Sequence, residues 1–429
     1  MTHAGFTLGV VSGMIRPPGS KSLTIRALVA GALAPGKSHL YSPLVSDDTQ
    51  AMIGVLRDFG VVIDTESDPW VIHGAGGVLH PPGNALDARL SGLTARIAIA
   101  MASRVDGRVT IDGQGRLKER PMIHLLDALT SQGVGVTSTD GHLPVTISGV
   151  GGLWGGELEI DSSVSSQFIT ALLLVAPLNR HPTTIRVVGV RLSEGYAGLT
   201  SDVMRAFGAR IDETVTGYEV AVGGYQPADL QIEADVSAAV YPMVGAAITG
   251  GRIELQGVKP GSQQPDLVVA RHLNTMGCRI GEGSHGMIVE GPSSLTPIEV
   301  DMKDAPDGAM ALAVACLFAT GPSRISGLST LRHKESDRLQ AMQEGLVKLG
   351  AEVVVEDDAM LIRPGTPRSG VIDPHADHRV AMALALAGLR IEGVTVSTPD
   401  VVDKTWPDYW SEMSAVVIGH DKSSDIPPR

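Results

Sequence analysis

Five glycines recur along the chain at nearly equal intervals, and this repetition constrains the fold more than any other feature of the sequence. They stand at positions 60, 133, 208, 277 and 350, so the intervals are 73, 75, 69 and 73 residues. Each follows a segment with helical apolar spacing and precedes β-branched residues, as in LRDFGVVI from Leu56. Glycine adopts a left-handed conformation at a helix end without strain, so the pattern predicts five helix-to-strand junctions.

We call the helices that end at these five glycines marker helices. Six other segments, more apolar than the marker helices, alternate with them along the chain. Strand-like segments follow the apolar segments, such as GRVTID from Gly107 and TTIRVVG from Thr183. We therefore expect six copies of one α/β unit, with the apolar helix buried and the marker helix partly exposed. The six apolar segments read SLTIRALVAGALA, GLTARIAIAMAS, SSQFITALLLVAPL, SAAVYPMVGAAITG, DGAMALAVACLFATG and DHRVAMALALAGL.

Three units per domain give two similar α/β domains. We expect the first domain to span residues 19–233 and the second to combine residues 1–18 with 234–419, since the third and fourth units divide near Glu233. The strand-like segment Phe6–Ile15 has no unit ahead of it, so we expect it to complete the last unit. Residues 420–429 are expected to form a disordered tail.

Charge and composition exclude several classes of function. The chain has 34 Lys and Arg against 47 Asp and Glu, and a net charge of −13 argues against general binding to nucleic acid or anionic membranes. Two cysteines cannot form a disulfide framework, and no Lys or Arg precedes Arg16, unlike the start of a signal peptide. The apolar stretches are shorter than the ~18 residues that span a bilayer. We therefore expect a cytoplasmic protein.

One motif is misleading. Residues 31–38, GALAPGKS, match the phosphate-loop pattern GxxxxGK[ST]. A phosphate loop follows a strand and opens a helix, so that backbone amides converge on phosphate. Here the predicted helix Leu23–Leu33 precedes the motif and the predicted strand Ser38–Tyr41 follows it. We therefore do not expect nucleotide binding.

Basic side chains recur where loops meet helices. Residues 18–22, PGSKS, combine a chain break, capping hydroxyls and a lysine at the positive end of a helix, with Arg26 one turn later. The segments RLKERP (116–121), RHKESDR (332–338) and DHR (377–379) occupy corresponding junctions of other units. Basic groups gathered on one surface of an acidic protein indicate a small substrate with several negative charges.

Two further clusters carry polar groups. Ser165, Ser166 and Gln167 open the third apolar helix, and a helix cap explains only one of them, so they indicate ligand contacts. The segment DPHADH (373–378) contains residue types that bind metals, but its spacing does not place them on one helix face, so no metal site is expected. Cys278 and Cys316 are expected to be packed thiols.

Taken together, PGSKS with Arg26, RLKERP, SSQF, KESDR, DHR and KTWPDYW resemble the 5-enolpyruvylshikimate-3-phosphate (EPSP) synthase family of enolpyruvyl transferases, from about Gly13 to Met413. The resemblance implies two domains, each of three βαβαββ repeats arranged as an inside-out α/β barrel, with the active site in the cleft between them. It implies transfer of the enolpyruvyl group of phosphoenolpyruvate to the 5-hydroxyl of shikimate 3-phosphate, with release of phosphate, on the shikimate pathway to chorismate and aromatic amino acids. No metal or cofactor takes part in this family, and glyphosate competes for the phosphoenolpyruvate site.

The resemblance also implies roles for individual residues. The implied catalytic residues are Lys21, Asp307 and Glu335. Those implied to bind shikimate 3-phosphate are Lys21, Ser22, Arg26, Ser165, Ser166, Gln167, Ser193, Tyr196, Asp307 and Lys334. Those implied to bind phosphoenolpyruvate are Lys21, Gly92, Arg116, Gln167, Arg338, His378, Arg379 and Lys404.

The chemistry of this reaction accounts for these residue types. One carboxyl group between cations, as Glu335 stands between Lys334 and Arg338, can give a proton to C3 of phosphoenolpyruvate and later take one back. Asp307 would accept the proton of the attacking hydroxyl. The cations would hold the phosphates and offset charge on the departing one. Domains that close on these anions would exclude water from the intermediate.

The sequence departs from the family pattern in the segment Leu90–Ile97 and at Thr330. Leu90 and Leu93 stand where asparagine and threonine are usual, Ile97 where many members carry proline, and Thr330 where asparagine is common. We expect the contacts of phosphoenolpyruvate and glyphosate with the segment Leu90–Ile97 to differ accordingly.

Two alternatives stay open: an enolpyruvyl transferase that acts on a related cyclitol phosphate, and a non-catalytic paralogue that binds metabolites. The related transferase that uses UDP-N-acetylglucosamine needs a loop cysteine near Arg116, and the sequence has none there. We expect a monomer.

Overall fold

The computed structural model describes residues 3–419, which form two compact units. The first unit is Gly19–Glu233, and the second combines Met1–Pro18 with Ala234–Arg429. The chain therefore leaves the second unit after Pro18 and returns to it at Ala234. The tail expected at residues 420–429 lies outside the described residues.

The first unit, whose residues are all described, contains six α-helices and three four-stranded sheets. The helices are α1 (Lys21–Leu33), α2 (Asp47–Asp58), α3 (Gly92–Ala102), α4 (Ile123–Ser131), α5 (Gln167–Val175) and α6 (Glu194–Ala206). The strands, in spatial order within each sheet, are Asp229–Gln231, Pro35–Tyr41, Trp70–Ala75 and Val62–Asp64; then Leu86–Asp87, Asp106–Asp112, His142–Val150 and Gly135–Thr139; then Gly156–Asp161, Thr183–Val188, Gly217–Val220 and Ile211–Thr214.

Every sheet of the first unit has the same pairing. Its first two strands run parallel, and the remaining pairs are antiparallel. In the second and third sheets the buried helices α3 and α5 provide the crossover that joins the two parallel strands. In the first sheet, Asp229–Gln231 returns from the end of the unit to pair with Pro35–Tyr41, which follows the buried helix α1. The result is the βαβαββ repeat expected for the family.

The second unit follows the same plan within residues 3–18 and 234–419. Its helices are α7 (Val236–Thr249), α8 (Val268–Thr275), α9 (Ala309–Leu317), α10 (Arg338–Lys348), α11 (His378–Ala385) and α12 (Tyr409–Ala415). Its strands, in spatial order, are Arg279–Glu282, Gly286–Glu290, Arg252–Gln256, Gly9–Ile15 and Val417–Gly419; then Glu299–Asp301, Ser323–Ser326, Met360–Arg363 and Glu352–Val355; then His3–Ala4, Thr395–Ser397 and Val371–Ile372.

The five marker glycines end helices as predicted. All five have positive φ values, of 92°, 81°, 78°, 105° and 106° in chain order. The predicted difference between the two kinds of helix is also confirmed: every residue of α3 is buried, whereas α2 exposes part of its surface. Buried helices thus form the interior of each repeat, and the sheets flank them.

The prediction for the N-terminal strand was wrong in part. His3–Ala4 does pair with the last repeat, through Thr395–Ser397. Gly9–Val11 also pairs with Val417–Gly419, the strand that follows α12 in the last repeat. However, Gly9–Ile15 runs parallel to Arg252–Gln256 on its other side, so it supplies the first strand of the fourth repeat as well. Its helix, α7, comes more than 200 residues later because the whole first unit is inserted between strand and helix. Local sequence signals do not reveal such a long-range pairing.

Candidate active site

The phosphate-loop motif has the element order expected from the sequence. The helix α1 ends at Leu33, and the strand Pro35–Tyr41 follows it. Residues 36–38 lie within a strand and do not open a helix, so the motif lacks the strand-to-helix geometry of a phosphate loop.

The start of α1 carries the first group of implied site residues. Ser20 caps the helix by accepting a hydrogen bond from the amide of Leu23 (3.5 Å). Lys21 is the first helical residue, and its Nζ lies 3.1 Å from Oδ2 of Asp48. The lysine side chain is 16% exposed, so it is largely shielded from water while it remains accessible to a ligand.

Arg26 lies one turn further along α1 and is buried. Its guanidinium donates to the hydroxyls of Thr200 (2.8 Å) and Thr170 (3.0 Å) and to the carbonyl oxygens of Ser22 (2.9 Å) and Tyr196 (2.9 Å). Burial lowers the pKa of Arg26 to about 10. These four hydrogen bonds link α1 to α5 and α6. One of the five N–H groups of Arg26 makes none of these bonds and could donate to a ligand.

Ser165, Ser166 and Gln167 lie together at the start of α5. Ser165 Oγ accepts from the amide of Gln167 (3.3 Å), and the Gln167 side chain accepts from Nη1 of Arg96 (2.8 Å). Arg96 is buried, donates also to the carbonyl oxygen of Gly92 (3.2 Å), and stacks on the ring of Phe168 at 5.0 Å. The side-chain amide of Gln167 is therefore held in place by a buried arginine.

Gly92 is the first residue of α3 and has no room for a side chain. A Cβ there would lie 2.4 Å from Nη1 of Arg120 and 2.7 Å from Nη1 of Arg96. Two guanidinium groups thus approach the backbone at this glycine. Leu93 is buried, whereas Leu90 is 49% exposed.

Arg116 and Ser193 occupy irregular backbone. Arg116 is exposed within the 3₁₀ helix Gly115–Glu119, and a Cβ on Gly115 would lie 3.3 Å from Leu90. Ser193 precedes α6 with a positive φ of 58° and is buried. A serine in the left-handed conformation costs free energy, which the surrounding structure has to offset. Residues in such conformations are common at binding sites.

The second unit holds a dense cluster of charges around Arg338. Its Nη1 lies 2.9 Å from Asp307 Oδ1, its Nη2 lies 2.9 Å from Glu335 Oε2, and its Nε lies 2.7 Å from Asp377 Oδ2. Arg338 and Asp377 are both buried. Burial opposes the positive charge, yet the three carboxylates outweigh this effect and raise the pKa of Arg338 above its ordinary value.

Asp307 contacts three cations in this cluster. Besides Arg338, its carboxylate lies 3.3 Å from Lys334 Nζ and 3.5 Å from Arg379 Nε. Burial favours the neutral acid, but the three cations together hold the pKa of Asp307 well below its ordinary value. Asp307 is therefore ionised. The cluster thus places a carboxylate that can accept a proton next to cations that can bind phosphate or carboxylate groups.

Three elements bring these residues together. Asp307 comes just before α9, Lys334 and Glu335 follow the 3₁₀ helix Ser329–His333, and Arg379 lies in the first turn of α11. His378 is buried at the start of α11, with Nδ1 3.7 Å from Asp377 Oδ1. Lys404 is buried at the end of the 3₁₀ helix Pro399–Lys404.

The sequence interpretation did not assign supporting roles to four polar residues that contact the implied site residues, although two of them, Arg120 and Asp377, lie in the basic segments named above. Arg96 holds Gln167, Asp48 pairs with Lys21, Asp377 holds Arg338, and Arg120 lies against Gly92. A signal existed for Arg96, which stands one helical turn after Gly92 and therefore on the same face of α3. The four pairings themselves were not predictable, because each joins residues far apart in the sequence, from 27 residues for Lys21 with Asp48 to 71 for Arg96 with Gln167.

Other features bear on the predicted function classes. Among residues 3–419, no group of three or more His, Cys, Asp or Glu could hold a metal ion. In the same range, no helix is both long enough and apolar enough to cross a membrane. Cys278 and Cys316 are free and buried, and burial raises both thiol pKa values to about 12.

Comparison with known proteins identifies the family. The family model for EPSP synthase (3-phosphoshikimate 1-carboxyvinyltransferase) matches residues 7–413. The 3-phosphoshikimate 1-carboxyvinyltransferase of Rhizobium leguminosarum bv. trifolii is 38% identical over 419 residues, 95% of each chain. That of Pseudomonas savastanoi pv. phaseolicola is 35% identical over 414 residues, again 95% of each chain.

Solved structures agree with these matches. EPSP synthase from Acinetobacter baumannii superimposes with a TM-score of 0.82 at 27% identity, covering 97% of this chain and 98% of that one. The enolpyruvyl transferase NikO from Streptomyces tendae has a TM-score of 0.74 at 19% identity, covering 96% of each chain, and this likeness concerns the fold alone. The family match, the two relatives and the fold together show that this chain belongs to the EPSP synthase family.

Proposed function

We propose that this chain transfers the enolpyruvyl group of phosphoenolpyruvate to the 5-hydroxyl of shikimate 3-phosphate and releases inorganic phosphate. The observation that carries the proposal is the cluster in which Arg338 joins Asp307 and Glu335, with distances of 2.9 Å to each. It supplies two carboxylates for proton transfer beside cations for anionic substrates. The product of this reaction leads to chorismate and the aromatic amino acids.

Shikimate 3-phosphate is proposed to bind hydroxyl, amide and cationic groups. At the start of α5, the side chains of Ser165, Ser166 and Gln167 stand next to the helix N-terminus, where orphan amides favour an anion. Arg26 contributes mainly by ordering α1, α5 and α6, since most of its N–H groups are engaged. The full proposed set is Lys21, Ser22, Arg26, Ser165, Ser166, Gln167, Ser193, Tyr196, Asp307 and Lys334.

Phosphoenolpyruvate carries a phosphate and a carboxylate, and both suit guanidinium groups. Arg338 is rigidly held and already ionised, so it can attract the substrate without rearrangement. A side chain at Gly92 would displace the guanidinium groups of Arg120 and Arg96, which lie against this glycine. The full proposed set is Lys21, Gly92, Arg116, Gln167, Arg338, His378, Arg379 and Lys404.

The proposed reaction proceeds by addition and elimination. In the addition, the 5-hydroxyl oxygen bonds to C2 of phosphoenolpyruvate, Asp307 takes the hydroxyl proton, and Glu335 gives a proton to C3. In the elimination, the bond between C2 and the phosphate oxygen breaks, and C3 returns a proton to Glu335. The neighbouring cations, Lys21 among them, stabilise the phosphate as it leaves.

The electrostatics of Asp307 fit a base that works only when substrate is bound. Without ligand, three cations lower its pKa and make it a weak base. Substrate phosphate and carboxylate groups would share those cations and so raise the pKa toward a value useful for accepting a proton. We extend the proposal to a cytoplasmic monomer, and, as the family resemblance implies, to a reaction that needs no cofactor.

A phosphate-release assay with a panel of acceptors tests this function. With phosphoenolpyruvate as donor, we expect phosphate release with shikimate 3-phosphate and at least about 100-fold less with unphosphorylated shikimate, because the contacts to the 3-phosphate are lost. Other cyclitol phosphates should also react more slowly than shikimate 3-phosphate, because their hydroxyl groups are placed differently. Excess chelator should leave the rate unchanged. Faster release with another cyclitol phosphate would favour the secondary-pathway alternative, and no release with any acceptor would favour a non-catalytic paralogue.

A further inference from the structure

Five residues of the second unit form a closed ring of contacts that includes the Asp307 carboxylate. Arg379 Nε lies 3.5 Å from Asp307 Oδ2, and Arg379 Nη1 donates to the carbonyl oxygen of Ser237 at 3.5 Å. The Ser237 hydroxyl donates to Asp266 Oδ2. Asp266 Oδ1 accepts from the amide of Gly308 at 3.1 Å, and Gly308 follows Asp307 directly in the chain.

The carboxylate of Asp266 lies inside the unit, away from solvent. The residue is 1% exposed, and it stands in the short 3₁₀ helix Pro265–Leu267. Its two oxygens join two separate elements: Oδ1 holds the backbone before α9, and Oδ2 holds the first turn of α7. A buried carboxylate with directional bonds on both oxygens fixes its neighbours more firmly than apolar packing does.

Two further observations show how tightly this part of the fold is determined. A Cβ on Gly308 would lie 2.7 Å from Val269 and 3.1 Å from Asp266 Oδ1, so the backbone at Gly308 packs directly against this segment. Gln264, two residues before Asp266, accepts from the amide of Val236 (3.2 Å) and donates to the carbonyl oxygen of Ala234 (2.8 Å). The segment 264–266 therefore holds the start of α7 at several points.

We propose that Ser237 and Asp266 are positioning residues that fix the Asp307 carboxylate relative to the Arg379 guanidinium. Asp266 holds the backbone next to Asp307 by accepting a hydrogen bond from the Gly308 amide. It also accepts from the Ser237 hydroxyl, and the carbonyl oxygen of Ser237 in turn accepts a hydrogen bond from Arg379. Neither residue needs to touch substrate for this role. The inference rests on the proposed transferase function, in which Asp307 is the base and Arg379 binds phosphoenolpyruvate.

The contacts predict a specific kinetic signature. Loss of the Ser237 hydroxyl releases one side of the ring, so Asp307 and Arg379 lose their fixed separation. Displacements well below 1 Å at a reacting group reduce turnover, and we expect Ser237→Ala to lower kcat about tenfold. The KM for phosphoenolpyruvate should rise several-fold, while the KM for shikimate 3-phosphate changes by less than about twofold, since most of its proposed contacts lie in the first unit.

The experiment compares steady-state kinetics of the full-length protein and four variants. Ser237→Ala removes the hydroxyl, Ser237→Thr retains it, and Asp266→Asn keeps the size of the side chain while removing its charge. The matched control is Ser326→Ala, which removes another half-buried hydroxyl of the second unit, one that donates to the carbonyl oxygen of Val300 at 3.2 Å. Thermal unfolding of each variant checks that it is folded.

The outcomes separate the inference from its premise. Support requires that Ser237→Ala and Asp266→Asn show the split between the two KM values, that Ser237→Thr restores kcat to within about threefold, and that Ser326→Ala behaves like the parent. If Ser237→Ala matches Ser326→Ala, the ring has no positioning role. If Ser237→Ala does not fold, Asp266→Asn alone decides in the same way. A parent protein that releases no phosphate from the substrate pair overturns the proposed function and this inference with it.

Discussion

Arg338 and Asp377 form a bidentate ion pair inside the second unit. Arg338 Nε donates to Asp377 Oδ2 at 2.7 Å and Nη2 to Oδ1 at 3.2 Å, and both side chains are shielded from solvent. Two parallel bonds fix the plane of the guanidinium as well as its position. Its Nη1 then points to Asp307, at 2.9 Å, so Asp377 determines where this cation meets the candidate site.

Removing the charge of Asp377 should therefore destabilise the protein. Asp377→Asn leaves a buried arginine without its best partner, and we expect the free energy of unfolding to fall by about 3 kcal/mol. The control is Glu352→Gln, which breaks an exposed ion pair with Arg363 (2.8 Å) and should cost less than about 1 kcal/mol. Urea unfolding measures both, and equal losses would contradict the importance assigned to this pair.

Glu335 should be needed for turnover and not for folding. Glu335→Gln keeps the size of the side chain but removes the transferable proton, so kcat should fall by at least about 10² while binding of shikimate 3-phosphate survives. Glu344→Gln, in α10 and exposed, is the matched control and should keep parental activity. Phosphate release and calorimetric binding give the two readouts. Turnover within a few-fold of the parent would assign the proton transfer at C3 to another group.

The low pKa of Asp307 predicts how stability depends on pH. Its carboxylate is stabilised by three cations in the folded state, so its contribution is present above the unfolded pKa of about 3.9 and is lost as the pH falls toward the folded value. The difference in unfolding free energy between the parent and Asp307→Asn should be constant from pH 8 to pH 5. Below about pH 4 it should shrink by up to about 1.4 kcal/mol per pH unit. A difference that grows on acidification would mean that Asp307 is protonated in the folded protein.

The loop at Leu90 should reduce sensitivity to glyphosate. Leu90 is 49% exposed and Leu93 is buried, so of the two only Leu90 is exposed enough to contact a ligand. A lost hydrogen bond to a charged ligand costs about 1.5–3 kcal/mol, or roughly 10- to 150-fold in affinity. We expect Leu90→Asn, alone and with Leu93→Thr, to lower the ratio of the glyphosate inhibition constant to the KM for phosphoenolpyruvate. An unchanged ratio in the double variant would show that the loop does not set inhibitor discrimination.

The repeat structure was predictable because its signals are local. The ends of the marker helices adopt a positive φ, which glycine permits without strain, so these ends are visible in the sequence. The composition of the apolar helices shows that they are buried. The pairing of Gly9–Ile15 was not predictable, since its parallel partner Arg252–Gln256 lies on the far side of an inserted unit. Strand pairing is a long-range choice that adjacent residues do not encode.

The candidate site shows the same division. Charged residues at loop-to-helix junctions, such as Lys21 and Arg338, are visible in the sequence because capping and charge are local properties. Their partners are not visible in this way: Asp377 meets Arg338 across 39 residues, and Asp266 meets Gly308 across 42. These partners are buried, and only the folded structure shows which cation or amide each carboxylate holds.

The most direct test of the account follows the phosphorus atoms of both substrates in one reaction. With purified protein, phosphoenolpyruvate and shikimate 3-phosphate in the presence of a chelator, ³¹P NMR should show the phosphoenolpyruvate signal replaced by inorganic phosphate. The 3-phosphate ester of the shikimate ring should persist as a new, shifted signal in equal amount, because its phosphate is not transferred. Loss of that ester, or phosphate release without consumption of shikimate 3-phosphate, would contradict the proposed enolpyruvyl transfer.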